Sequence, residues 1–324
     1  MPESRFPEGR GSGWVQRRSG LIGAVMVACV SVLSAPAASK TLEVGAGHPL
    51  KAPSAAAIVA AAGDTIEIEP GEYFDCAVWN ANGLTIVGKG PGVVITDKTC
   101  QGKALFVTVG NDITIRNVTF TRARVPDQNG AGIRSEGRNL TVERSRFINN
   151  ENGILTGDSG DSTIKIAESE FIRNGKCEAS CAHGIYVGHI ALLHIEHCRF
   201  LETKVGHHVK SRALRTELIG NSIFDGENGT SSYLVDIPNG GSLIMEGNVL
   251  EKGPRTENQE TAISIGAEGV TQRTAEITIK HNKFTNDQPR ETVFVRNLTA
   301  TEAELVGNSF DGKVVPLSGD GHVE

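Results

Sequence analysis

ITIRNVTF, Ile113–Phe120, returns seven more times in altered form, and that recurrence decides the architecture. The echoes are LTVERSRF (ending at Phe147), IKIAESEF (Phe171), LHIEHCRF (Phe200), ELIGNSI (Ile223), IMEGNVL (Leu250), ITIKHNKF (Phe284) and AELVGNSF (Phe310). The steps between their last residues are 27, 24, 29, 23, 27, 34 and 26. A unit this short cannot bury its own apolar face, so successive units stack and share one core. Each phrase alternates apolar and polar residues, as in Ile164, Ile166 and Phe171, which marks strands with one face inward. Two positions before the last apolar residue stand Val118, Ser145, Ser169, Cys198, Asn221, Asn248, Asn282 and Asn308. Asparagines at equivalent places of stacked units predict an amide ladder at a turn, each side chain bonding to the coils above and below, with the asparagine itself taking the left-handed backbone.

A second strand follows each phrase: GIRS (132–135), GILT (153–156), GIYV (184–187), HVKS (208–211), LVDI (234–237), AISI (262–265) and FVRN (294–297). Pointing Ile133, Ile154, Ile185, Val209, Val235 and Ile263 inward leaves an outward column of Arg134, Leu155, Tyr186, Lys210, Asp236 and Ser264. Strands in parallel register lie about 4.8 Å apart, so Lys210 and Asp236 are expected side by side on an exposed face. Before the repeats, Ser54–Ala62 reads as a short helix that caps the open end of the stack, and GDTIEIEPGEYFD (63–75) as two strands around a Pro-Gly turn.

Aromatics make up 5% of the 324 residues and glycine is abundant at 38, a composition of thin strands and tight turns. Formal net charge is −6. Residues 1–37 carry four arginines and two glutamates, so the remainder is near −8, which argues against a nucleic-acid partner. Arg17-Arg18, the apolar run Leu21–Leu33 and Ala35-Pro36-Ala37 read as an export signal, with an uncleaved anchor as the alternative. The expected plan is a signal at 1–37, one solenoid domain at 41–318 and a tail at 319–324. The protein would be periplasmic or secreted, monomeric, and free of the membrane once cleaved. Export permits the disulfides Cys76–Cys100 and Cys177–Cys181, with Cys198 as a buried filler; a zinc site on Cys177, Cys181 and nearby histidines is the alternative for the second pair.

The repeat phrase and the opening GDTIEIEPGEY resemble the right-handed parallel β-helix proteins of the pectate-lyase-like superfamily, from about Thr41 to Ser318. That resemblance implies an all-β, single-stranded parallel solenoid. It leaves the reaction open, because the fold carries lyases, hydrolases, epimerases and passive binders.

Chemistry concentrates between His183 and Asn239. Six of nine histidines lie from His183 to His208, and GHHVKSRALR (206–215) is basic in an acidic chain. HVKSRA (208–213) is similar to the lysine-bearing strand of the lyase family that contains chondroitinase B and alginate lyases, which would make Lys210 the base. That family places its arginine on the next coil within Arg-His-Gly; here Val235-Asp236-Ile237 stands there, and the arginine is Arg212 on the same coil. Elimination at a uronate needs the carboxylate neutralised, a base for the adjacent proton and an acid for the leaving oxygen. Arg212 suits the first task and His208 or Tyr186 the last, while Asp236 would orient Lys210 or, with Glu268, hold Ca²⁺. Arg134, Tyr186, His189, Tyr233 and Asn239 would contact the sugar. The expected partner is therefore an acidic polysaccharide. A non-catalytic carbohydrate-binding or envelope protein is the second reading, and metal handling by His183, His189 and His208 the third.

Overall fold

The computed structural model describes Gly13 and residues 39–178 and 181–324. The expected export signal therefore lies, apart from Gly13, outside the described residues. Ser39–Glu324 forms one compact unit.

Each repeat phrase bends once. Ile113–Arg116 is one strand and Thr119–Thr121 the next, with Asn117 and Val118 at the corner. The first strand of every coil joins a parallel sheet of 12 strands, the second a sheet of 10, and the strands after the phrase another sheet of 10. Neighbours in each sheet follow chain order, which makes the unit an all-β parallel solenoid. The last strand of the 12-stranded sheet is Gly321–Val323, paired with Ala303–Leu305, so residues 319–324 continue the solenoid instead of forming a tail. The single short helix among the described residues spans Pro53–Val59, less than the expected Ser54–Ala62; it buries Pro53 and Ala56, and its free Ser54 N–H donates to Asp75 Oδ2 at 2.8 Å.

The phrase endings build the core. Phe120, Phe147, Phe171 and Phe200 stack ring on ring with centroids 5.2, 4.7 and 4.7 Å apart, all fully buried. Offset-stacked rings at this spacing gain contact beyond their burial. The corner ladder is continuous. Asn221 Nδ2 donates to Asn248 Oδ1 at 3.0 Å, Asn248 to Asn282 at 2.8 Å and Asn282 to Asn308 at 3.0 Å. Upstream, the Ser145 and Ser169 hydroxyls and the Cys198 thiol accept backbone N–H groups of the preceding coil in the same way. One part of the expectation is corrected: the left-handed residue is the one before the ladder, Arg144, Glu168, His197 and His281 in four coils and Gly220, Gly247 and Gly307 in three others. The ladder residue itself is thereby free to aim its side chain along the stack. A second amide ladder, Asn150 to Asn174 at 3.1 Å, escaped the sequence reading.

Cys76 and Cys100 are bonded, with Cα atoms 5.5 Å apart. Cys177 and Cys181 face each other across a two-stranded antiparallel ribbon, with Cα atoms 4.1 Å apart, at the place of the second expected bridge. Cys198 is buried, and burial pushes its thiol up to about 12. Among the described residues no helix is long and apolar enough to cross a membrane.

Candidate functional site

The register along the third sheet is Arg134, Leu155, Tyr186, Lys210, Asp236, Ser264, as the inward pattern requires. Lys210 and Asp236 are thus cross-strand neighbours, with Nζ 3.3 Å from Oδ2. The expected exposed face is corrected: their side chains are only 10% and 3% exposed. What covers them is Glu268, on the loop after the strand Thr261–Ile265. Its Oε1 accepts from Lys210 Nζ at 2.6 Å and its Oε2 from an Arg212 terminal nitrogen at 2.6 Å. Arg212 also donates through Nε to Tyr186 Oη at 3.0 Å and through its other terminal nitrogen to Asn239 Oδ1. Asn239 in turn donates to Gly269 O at 3.2 Å, tying the arginine to the Glu268 loop. Lys210 Nζ and Arg212 Cζ each lie 5.7 Å from the Tyr186 ring centroid, within reach of a cation–π attraction.

Three coils supply this cluster, and a fourth element closes it. Tyr186, Arg212, Arg134 and His189 also line one surface depression with Asp158 and Leu155. His189 is held there by Asp158, whose Oδ1 accepts its backbone N–H at 2.7 Å. Tyr233 lies behind the column: its ring stacks on His207 at 5.0 Å, and His207 stacks on His183 at 4.8 Å.

That stack brings in His207, one of the clustered histidines but not among the expected site residues. His207 Nε2 lies 3.4 Å from Asp236 Oδ2, while its Nδ1 accepts the Tyr233 N–H at 3.0 Å. The signal was present: His183, His207 and Tyr233 each stand two residues before the inward Ile185, Val209 and Val235. Burial, with the Lys210 and Arg212 charges, lowers His183 to about 3. Burial, with His183 and Lys210, holds His207 well below its ordinary value. Asp236 moves the opposite way: burial raises it to about 6 despite Lys210, and its Oδ1 is buried without a partner.

His208 is the main correction. It was expected at the surface as a proton donor, yet it is fully buried, with Nδ1 2.8 Å from Thr203 Oγ1 and Nε2 3.0 Å from Asp225 Oδ1. Strict alternation fails because the backbone is still turning there. The equivalent Gly132 and Gly153 already face the core, where an added Cβ would meet Phe147 and Phe171 at 2.7 Å. The three histidines of the metal reading do not converge. His183, His189 and His208 have separate surroundings, and among the described residues no group of three or more His, Cys, Asp or Glu side chains is arranged to hold an ion. Asp236 and Glu268 do share a cation, but it is the Lys210 ammonium, with oxygens 3.3 and 2.6 Å away. That arrangement does not fit a Ca²⁺ held between the two carboxylates.

Residues 75–223 match the family model described as a right handed beta helix region. No curated protein matches the sequence. An alginate lyase from Paenibacillus sp. str. FPU-7 superposes with a TM-score of 0.60 at 17% identity, over 85% of this chain and 99% of that one. A pectate lyase follows at TM-score 0.47 and 14% identity, over 87% and 80% of the two chains. The catalytic unit of a GH87 α-1,3-glucanase from Streptomyces thermodiastaticus strain HF3-3 gives 0.45 and 13%, over 88% and 70%. At these identities the likeness speaks to fold alone. The protein has a parallel β-helix fold, with residues 75–223 matching a right-handed β-helix region.

Proposed function

We propose that this protein is exported and cleaves an acidic polysaccharide by β-elimination at a uronate, at the depression lined by Tyr186 and Arg212, with Lys210 beside them. The observation that carries the reading is that a lysine and an arginine from one coil converge on a tyrosine of the preceding coil, with Arg212 Nε 3.0 Å from the phenol oxygen. In this mechanism the Arg212 guanidinium takes the sugar carboxylate in a charge-assisted pair. Lys210, once its ammonium has released a proton to solvent, removes the proton on the carbon next to that carboxylate. The electron pair forms the ring double bond and the glycosidic C–O bond breaks. Tyr186 gives its phenolic proton to the departing oxygen, and Asp236 positions Lys210 from the next coil. Arg134 and His189 line the same depression and would contact neighbouring sugars. Tyr233 and Asn239 support the site from behind and from the loop, not as first contacts. The helix Pro53–Val59 would cap the stack. No step is routed through a metal.

The solved alginate lyase shares the fold over its whole length, so alginate heads the substrate panel. Purified protein would be incubated with uronate polymers, with and without chelator, while ultraviolet absorbance follows unsaturated ends. The account expects product with at least one polymer, abolished by Lys210→Ala. Binding without turnover is the second reading, favoured by the two carboxylates that hold Lys210. There Lys210→Ala would weaken polymer binding and no unsaturated product would form in any variant.

A further inference from the structure

Glu268 occupies the Arg212 guanidinium that a uronate carboxylate would need and caps the Lys210 nitrogen that would face the sugar carbon. One oxygen lies on the Lys210 ammonium and the other on the Arg212 guanidinium, both at 2.6 Å. It is also the outermost layer of the cluster: its side chain is 44% exposed, against 17% for Arg212 and 10% for Lys210. The backbone beneath is pinned. Glu268 N donates to Pro238 O at 2.9 Å, and Thr271 N and Gln272 N both donate to Asn239 O at 2.9 Å. Gly266 and Gly269, at φ +86° and +93°, bracket the turn that presents the side chain. Glu268 can therefore rotate into solvent without moving the loop. Its departure orphans neither cation, because Arg212 keeps Tyr186 and Asn239 and Lys210 keeps Asp236.

We propose that Glu268 is an internal stand-in for the substrate's carboxylate: it closes the Lys210–Arg212 pair in the free protein and yields to an incoming uronate, so the site is autoinhibited by its own side chain. The inference rests on the reading of this depression as a uronate site. It selects for ligands that present a carboxylate geometrically equivalent to a glutamate's, and against neutral sugars, which cannot replace the displaced charge. Two charge-assisted bonds hold the closed form, so the open form is a minority and apparent affinity is reduced by its fraction.

The test is isothermal titration of galacturonate and of an alginate-derived trisaccharide into the full chain and into Glu268→Ala, Glu268→Gln and Asp161→Asn. Asp161 carries the same charge but is exposed and pairs with Arg138, not with Lys210 or Arg212. Both Glu268 variants should bind roughly tenfold tighter than the unaltered chain, and Asp161→Asn less than about twofold. Glu268→Gln keeps the side chain's shape, which guards against a folding artefact in Glu268→Ala. No gain in either variant overturns the inference, whether or not the protein cleaves polymers. An equal gain in Asp161→Asn also overturns it, because bulk charge would then suffice. A gain without unsaturated product leaves the stand-in intact and removes the lyase reading instead.

Discussion

The corner from Ser145 to Asn308 and the face that carries Lys210 lie on the same coils, yet they use polar side chains in opposite ways. At the corner every coil does the same job: a small side chain accepts the N–H of the coil before it, and each amide donates to the next. On the Lys210 face no two neighbours match. Tyrosine, lysine and aspartate follow one another, and an arginine and a loop glutamate close over them. Repetition along a solenoid is what its own stability requires. Departure from repetition, where charged groups bind one another beside a depression that Tyr186 and Arg212 line, needs a reason outside the fold.

The largest effect should come from the non-repeating face. Tyr186→Phe removes the phenolic proton but keeps the ring beside both cations. Turnover should fall about 10²- to 10³-fold, with polymer affinity within about threefold of the unaltered chain. The assay is unsaturated product against substrate concentration; an unchanged rate would move the acid role elsewhere.

The repeating corner should break differently. Asn248→Ala removes its donations to Leu218 O and Asn282 Oδ1, each at 2.8 Å, and the acceptor for Asn221 N. Leaving these buried groups unpaired should cost about 2–4 kcal/mol in urea unfolding, with sugar binding unchanged. A loss of binding without loss of stability would contradict the division between corner and face.

Acid should sharpen the contrast. His183 is lowered to about 3 by burial and by the Lys210 and Arg212 charges, so its contribution to stability is full above about pH 6.5 and is lost as pH falls. From pH 7 to pH 5 that loss is about 2 kcal/mol. Asp236, raised to about 6 by burial, acts against it: its contribution is full below about pH 4 and fades as pH rises through 6. His183→Asn should therefore flatten the acid side of a melting-temperature profile, and Asp236→Asn should steepen it. The smallest effect belongs to Cys198→Ser, which keeps an acceptor in the ladder and should change stability by less than about 1.5 kcal/mol.

Much of this was legible in the sequence. The phrase endings located the phenylalanine stack, and the inward Ile133, Ile154, Ile185, Val209 and Val235 set the register that makes Lys210 and Asp236 neighbours. Two kinds of fact were not. Alternation holds only within a strand, so His208, at a corner column that glycine fills two and three coils earlier, was placed outside when it is fully buried. Loop reach is not periodic at all: Glu268 lies 58 residues from Lys210, and nothing in the repeat says that its carboxylate folds back over the column. The cover that Glu268 places over Lys210 and Arg212 was thus invisible until the loop was seen.

The most direct measurement is a crystal structure of Tyr186→Phe with an alginate oligosaccharide. The account predicts a sugar in the depression, its carboxylate on Arg212 and its reacting carbon beside Lys210 Nζ, with Glu268 turned to solvent. An oligosaccharide lying along the outer face of the 12-stranded sheet, around His194 and Glu217, with the Lys210 cluster untouched, would contradict it.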